Sequence, residues 1–118
     1  MSTGAVRLVE RYVYELYNDE QIDLVDEICG DPMTRHGAGS IRSLSRREQR
    51  ERIVADLAEH QPKFTVVTLV GDETYASLTW NAERLTTGER LCGIEIFKVH
   101  DGVITDVWNP DYLEGSWS

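Results

Sequence analysis

The stretch "IEIFKVHDGVITDVW" (residues 94–108) predicts two antiparallel β-strands joined by a tight turn. Branched and aromatic residues dominate both flanks, as is typical of strands. Between them, Asp101 and Gly102 form a dipeptide that supplies the positive φ angles of a two-residue primed turn. The pattern therefore places one strand at residues 90–99 and the last strand at residues 103–108.

The first of these strands contains a carboxylate, Glu95, in the middle of an apolar run. Strand alternation puts Glu95 on the same face as Phe97 and leaves Ile94 and Ile96 on the other. Both faces are mostly apolar, so we expect helices to cover one and a second copy of the chain to cover the other, giving a homodimer through the open sheet face. Because an unpaired buried carboxylate is costly, Glu95 is expected either at the subunit interface with a partner or in the lining of an interior cavity.

Upstream of this hairpin, apolar residues recur at helical spacing. The first amphipathic stripe covers residues 5–17 and a shorter one covers residues 22–28. A third begins at Ser45, which forms a predicted capping box with Glu48, and ends before Pro62. The first half of the chain is therefore predicted to hold three helices.

The remaining segments are predicted to be extended. Residues 33–43 comprise a short extended piece and a Gly-rich loop, whereas residues 63–70 and 74–85 have the composition and alternation of strands. Three helices followed by four successive antiparallel strands predict an α+β protein with the helices on one face of a meander. No repeat or linker interrupts the chain, so residues 1–118 are expected to form a single domain.

Composition narrows the classes of function. Twelve Lys and Arg against twenty-one Asp and Glu give a net charge of −9, which disfavours binding to nucleic acid or to anionic membranes. No apolar run approaches the ~18 residues of a membrane span, and no signal-peptide core precedes the first helix. Two cysteines do not make a disulfide framework, and no His, Cys or carboxylate spacing matches a zinc site. A cytoplasmic protein without a metal is therefore expected.

The layout as a whole resembles the nuclear transport factor 2-like superfamily, and within it the SnoaL-like polyketide cyclases and ketosteroid isomerases. The resemblance rests on "RY" at residues 11–12, "DP" at 31–32, "HGAGS" at 36–40 and the strand–turn–strand at 94–108, and it covers nearly the whole chain. It implies three N-terminal helices packed on a strongly curved, mainly antiparallel sheet that encloses a pocket.

The resemblance also implies a site. Tyr12 matches the family's tyrosine, His36 lies 24 positions later where the family has its general base, and Glu95 matches a buried acid two residues before Phe97. Such a set supports proton transfer next to a carbonyl, with His36 as base and with Tyr12 and a neutral Glu95 polarising the oxygen. The expected activity is isomerisation or cyclisation of an apolar oxygenated molecule of polyketide, steroid or terpenoid type, without a cofactor.

Five further residues are candidates for contact with the substrate: Trp80, Phe97, Trp108, Asn109 and Asp111. The tryptophans could equally belong to the core, and Asn109 and Asp111 could line the mouth of the pocket or only form a turn around Pro110.

Three alternatives stay open. The cyclases commonly use an aspartate as acid and base, and no aspartate inside the strands is an obvious match for it. Epoxide hydrolases of this fold need an Asp–Arg–Asp set, and near Arg84 this chain has Thr86 and Asn109 at the expected aspartate positions. Epoxide hydrolysis is therefore less favoured. A ligand-binding or accessory domain that kept the pocket and lost the chemistry is the main alternative to an enzyme.

Overall fold

The computed structural model describes residues 4–118, which form helices packed on one curved, seven-stranded sheet. The helical elements are α1 (Gly4–Glu10), which continues as π-helical turns (Arg11–Asn18), a 3₁₀ turn (Ile22–Leu24), α2 (Val25–Ile28) and α3 (Arg46–His60). The strands are β1 (Cys29–Gly37), β2 (Ser40–Leu44), β3 (Pro62–Gly71), β4 (Tyr75–Arg84), β5 (Glu89–His100), β6 (Val103–Trp108) and β7 (Leu113–Glu114). The predicted α+β class with three helices on a curved sheet is confirmed.

The π-helical turns after α1 decide which residues of the first helix face the sheet. Their wider turn places two adjacent pairs on the inner side, Tyr12 with Val13 and Leu16 with Tyr17, and all four are buried. The two tyrosine rings meet edge to face with their centroids 5.2 Å apart. Both hydroxyl groups are thereby brought to the interior of the molecule.

The segment predicted as a loop, residues 37–43, instead contains the end of β1, a two-residue turn and most of β2. β1 and β2 form an antiparallel hairpin in which Gly37 pairs with Ser40, and Gly39 takes a φ of 80° in the turn between them. Most of β2 is exposed at the edge of the sheet. Because an exposed edge strand has no apolar face to bury, its sequence lacks the alternation that identifies a strand.

The predicted meander of β3, β4, β5 and β6 is present, and the strand order across the sheet is β2-β1-β6-β5-β4-β3, with β7 on β5. β1 joins this meander in parallel to β6, with Arg35 opposite Val107 and His36 opposite Trp108. The sheet is therefore mixed, and β1 lies directly beside the last strand of the hairpin.

Two local predictions are confirmed at the ends of elements. The side chain of Ser45 accepts a hydrogen bond from the backbone N–H of Glu48, and Glu48 reciprocates, which is the capping box at the start of α3. In the β5–β6 hairpin, Asp101 and Gly102 have φ angles of 50° and 79°, as a primed turn requires.

Strand alternation sorts the sheet into an inner and an outer face. The inner face carries the buried residues of β4 and β5, including Ala76, Leu78 and Phe97. The outer face carries Ile94 and Ile96, which are 44% and 41% exposed. The helices thus cover one face only. Within residues 4–118, no helix is both long enough and apolar enough to span a membrane.

Candidate active site

A cavity of about 400 Å³ lies between the inner face of the sheet and the helices, a size typical of small-molecule sites. Its apolar and aromatic lining consists of Tyr12, Val13, Tyr17, Ala55, Pro62, Phe64, Leu78, Trp80, Ala82, Leu91 and Tyr112. Its remaining lining residues are Arg35, Arg52, Asp56, Glu59, Arg84, Glu95 and Asn109. The cavity therefore combines aromatic walls with a small number of charged groups.

Glu95 reaches this cavity from the middle of β5, and only 14% of its side chain is exposed. Its Oε1 accepts a hydrogen bond of 2.6 Å from Nδ2 of Asn109, which follows the end of β6. Burial raises the pKa of Glu95 above its ordinary value of 4.5, against the opposing effects of Arg35, of the Asn109 hydrogen bond and of Arg52. A carboxyl group placed in this way takes up a proton more readily than a solvated one.

The hydroxyl of Tyr12 lies in a hydrogen-bond network with α3. Gln49, which is fully buried, donates from Nε2 to this hydroxyl at 3.3 Å, and Arg52 donates from Nη2 at 3.4 Å. The same Arg52 nitrogen donates to Tyr17 at 3.2 Å. Because both N–H groups use the lone pairs of the Tyr12 oxygen, its own proton is free to be donated. Burial raises the pKa of Tyr12 well above its ordinary value, so this proton is retained.

Arg35 is the charged group closest to Glu95. Its Nη2 lies 3.8 Å from Oε1 of Glu95, which is an ion pair but too long for a direct hydrogen bond. Its Nη1 is buried and has no hydrogen-bond partner among the residues that the structure describes. Buried polar groups are nearly always hydrogen-bonded, so this free donor is unusual.

At another part of the cavity lining, Arg84 and Tyr112 form a closed contact. Nη2 of Arg84 donates to the Tyr112 hydroxyl at 2.8 Å, and Nη1 pairs with Glu89 at 2.7 Å. The ring of Trp80 lies across Gly93 on the neighbouring strand, where a side chain of any size would collide with it. These contacts hold an aromatic wall made from β4 and the segment after β6.

Four of the predicted site residues do come together in the lining of this cavity: Tyr12, Trp80, Glu95 and Asn109. Of the two positions expected for Glu95, this structure shows it in the lining of the cavity. Phe97 is fully buried behind the lining, with its ring centroid 5.6 Å from that of Tyr12. It supports the wall of the cavity from the core.

The structure does not bring His36 to this cavity, which corrects the predicted grouping of His36 with Tyr12 and Glu95. Along β1, Arg35 pairs with buried Val107 and faces inward, so the next residue faces outward. The ring of His36 stacks on Trp108 at 4.6 Å, and its Nε2 donates to Oδ2 of Asp106 at 2.9 Å. Although burial opposes it, this hydrogen bond helps to hold the pKa of Asp106 below its ordinary value.

Besides Phe97, two further predicted contacts with the substrate are outside the lining. Trp108 lies on the outer face, 37% exposed, because it alternates with the inward Val107. Asp111 is exposed in the segment after β6 and is not among the residues that line the cavity. Neither residue is placed to contact a molecule inside it.

The sequence reasoning missed the two arginines nearest the centre of the site. Arg35 could have been found from strand alternation, because it lies two residues after Met33, which is fully buried. Arg52 belongs to the Arg-rich start of α3, which reads as a solvated helix face. Its position one turn after the buried Gln49 is the signal that marks it as inward.

The positions of Arg84 and Thr86 give less support to epoxide hydrolysis. Arg84 is engaged by Glu89 and Tyr112, and Thr86 donates from its exposed hydroxyl to the backbone carbonyl of His60 instead of lining the cavity. Within the part of the chain that the structure describes, no three His, Cys, Asp or Glu residues are grouped as metal ligands.

Comparison with protein families and curated proteins finds no family model and no curated protein that matches this sequence. Solved structures do match. A candidate polyketide cyclase from Acidithiobacillus ferrooxidans has a TM-score of 0.78 at 18% identity, over 92% of this chain and 88% of its own. A candidate ketosteroid isomerase from Kribbella flavida has a TM-score of 0.77 at 17% identity, over 98% of this chain and 82% of its own.

A third structure is an epoxide hydrolase of the LEH-like type from Mycobacterium tuberculosis, with a TM-score of 0.75 at 19% identity, over 91% of this chain and 81% of its own. Identities this low establish the fold and leave the activity open, since this fold carries several chemistries. This chain therefore shares its fold with these polyketide cyclase-like, ketosteroid isomerase-like and epoxide hydrolase-like structures; a nuclear transport factor 2-like protein from Mesorhizobium loti also matches, with a TM-score of 0.75 at 12% identity, over 91% of this chain and 89% of its own.

Proposed function

We propose that the chain binds a small, apolar, oxygenated molecule in the cavity and transfers a proton next to a carbonyl group of that molecule, as an isomerase or cyclase. The observation that carries the proposal is the position of Glu95, a carboxyl group with a raised pKa inside an aromatic-walled cavity. A base whose pKa is moved from its ordinary value towards neutrality is suited to taking and returning a proton near pH 7.

In the proposed reaction, the Glu95 carboxylate removes a proton from the carbon beside the carbonyl. The electron pair of the broken C–H bond forms the carbon–carbon double bond of an enolate, the π pair of the carbonyl moves to its oxygen, and the hydroxyl of Tyr12 donates to that oxygen. Gln49 and Arg52 orient Tyr12 for this role through their own bonds to its oxygen. For isomerisation, Glu95 returns the proton to another carbon. For cyclisation, the enolate carbon attacks a second carbonyl, and the new alkoxide takes the proton from Glu95.

This proposal changes the role given to two residues by the sequence. We assign Glu95 the role of base and not of neutral donor because Arg35 and the N–H of Asn109 favour its charged form and oppose the effect of burial, which raises its pKa. His36 has no part in the reaction, because it faces away from the cavity.

A binding module without catalysis is the second candidate. It is favoured by the contacts around Tyr12 and Arg52, which also serve to hold the first helix against α3. A cavity of this size and lining needs no catalytic group to bind a ligand.

The proposal is tested by following the exchange of the α-protons of 2-tetralone in D₂O by NMR. We expect the wild-type chain to accelerate the exchange and Glu95→Gln to lower the rate about a hundredfold or more, since general base catalysis typically contributes that much. Tyr12→Phe, which keeps the ring and removes the donor, should lower the rate by at least about tenfold.

His36→Gln is the matched control and should exchange at the wild-type rate. Equal rates for the wild type and Glu95→Gln would contradict the proposed base. Binding of the ketone by the wild type without any acceleration would favour the binding module.

A further inference from the structure

The guanidinium of Arg35 is incompletely paired: 22% of the side chain is exposed, but Nη1 is buried. Its carboxylate neighbour, Glu95, is 3.8 Å away and is already hydrogen-bonded to Asn109. Its Nη1 has no partner among residues 4–118, although the rest of that nitrogen's surroundings exclude solvent. An arginine can donate two parallel hydrogen bonds to one carboxylate, and here that capacity is unused.

The charged groups around Arg35 also leave its positive charge incompletely neutralised. Arg52 also lines the cavity, and its described hydrogen bonds go to the neutral groups of Tyr12, Tyr17 and Gln49. Both arginines act to lower the pKa of Glu95, so two guanidinium groups interact with this single carboxylate. Among the described residues, Glu95 is the only carboxylate within 4 Å of Arg35, and none lies within 4 Å of Arg52. The incomplete pairing is local to these two arginines, since the cavity lining as a whole holds three arginines and three carboxylates.

Leaving the buried Nη1 donor without an acceptor costs free energy, and a ligand that supplies the missing acceptor recovers it. The same cavity has aromatic walls, in which Phe64 and Trp80 meet edge to face with ring centroids 5.2 Å apart. The cavity therefore offers a cationic group and an apolar surface to the same molecule.

We propose that the cavity binds an apolar carboxylic acid, with the carboxylate of the ligand paired to Arg35 and its apolar body against Phe64 and Trp80. The inference rests on the proposed function in one respect, that the cavity is a ligand site. It adds the chemical class of the ligand and gives Arg35 the role of the specificity-determining residue.

The test compares 2-naphthoate with 2-naphthamide by isothermal titration calorimetry at pH 7. The two probes have the same shape and differ in charge. We expect the wild-type chain to bind the acid at least about tenfold more tightly than the amide, because only the acid forms a charge-assisted pair with Arg35.

Arg35→Met removes the charge and keeps a long side chain. It should remove the preference for the acid and leave the affinity for the amide within about twofold, which also shows that the cavity has folded. Arg47→Met removes an exposed arginine paired with Glu51 and serves as the control for net charge, with the wild-type preference retained. Glu95→Gln should strengthen binding of the acid by about threefold or more, because it removes the competing carboxylate.

Each outcome separates the two proposals. Equal binding of acid and amide by the wild type overturns the assignment of a carboxylic acid and leaves the cavity as a ligand site. A preference that persists in Arg35→Met overturns the role of Arg35. Binding of neither probe contradicts the premise that the cavity takes a ligand of this kind, whereas the proton-transfer proposal fails separately if Glu95→Gln exchanges α-protons at the wild-type rate.

Discussion

At the scale of single residues, the environment of Glu95 sets the properties of the site. Desolvation favours its neutral form, while Arg35, Arg52 and the N–H of Asn109 favour the charged form. Desolvation prevails, so the pKa is raised, which is the direction expected for a carboxyl group inside a strand's apolar run. The same carboxyl on the outer face would be solvated and would lose this property.

A pH dependence of stability follows from this raised pKa. Because the folded-state pKa of Glu95 lies above the unfolded value near 4.5, the folded state binds the proton more tightly. The wild type should therefore gain stability relative to Glu95→Gln as the pH falls from 7 through the folded-state pKa, and the gain should be complete below about 4.5. Urea unfolding of both proteins across this pH range measures the difference.

Glu51→Gln, which removes an exposed carboxylate, is the control for the change in net charge. A stability difference between wild type and Glu95→Gln that stays constant with pH, or that moves in the opposite sense, would show that the pKa of Glu95 is not raised. Carboxyl-resolved NMR titration gives the same pKa directly.

At the scale of elements, one residue of strand register separates the inner face of β1 from the outer. The predicted base came from counting 24 positions from Tyr12 to His36, and the side chain that reaches the cavity is its neighbour Arg35. Counting along a sequence does not determine which face a residue occupies. That is decided by pairing with β6, which sets Val107 and Arg35 on the inner side.

The packing of β4 on β5 predicts a stability effect at Gly93. A Cβ at this position would lie 2.4 Å from Cζ2 of Trp80, so Gly93→Ala must displace the indole ring. We expect a loss of about 1–3 kcal/mol in the free energy of unfolding, typical of overpacking, measured by urea denaturation.

A double-mutant cycle with Trp80→Leu gives the cause of this loss. In the Leu background, Gly93→Ala should cost less than half as much, since the ring is gone. Gly37→Ala is the matched control, because the one close contact of a Cβ there, at 2.7 Å, is with the flexible hydroxyl of Ser40. An equal cost of Gly93→Ala in both backgrounds would exclude the clash as its origin.

At the scale of the whole molecule, the two faces of the sheet differ in what covers them. The helices cover the inner face, whereas Ile94, Ile96, Tyr75 and Trp108 on the outer face are all at least 37% exposed. Large exposed apolar patches are typical of interfaces. The homodimer expected from the sequence therefore stays a prediction for this face.

Light scattering coupled to size-exclusion chromatography tests this prediction. We expect a mass of twice the 13.5 kDa of one chain for the wild type. Ile96→Arg should give the mass of one chain, because a charge at the centre of an apolar interface is costly to bury. Arg42→Ala, at an exposed position of β2, should leave the mass unchanged. A wild-type mass of one chain contradicts the dimer.

The sequence by itself determined the elements that depend on local patterns. The alternation in β4 and β5, the Asp101–Gly102 turn and the Ser45 capping box are encoded within a few residues of each other, and all three are present. The inner face of β5, and with it the inward direction of Glu95, followed from the same alternation.

Only the tertiary structure decided which distant residues surround Glu95. Arg35 and Arg52 reach it because β1 pairs in parallel with β6 and because α3 packs over the sheet, and both arrangements depend on contacts far apart in the sequence. The local sequence around an arginine in a polar stretch is the same whether its side chain faces solvent or a cavity. The physical difference is its burial, and burial is a property of the folded chain.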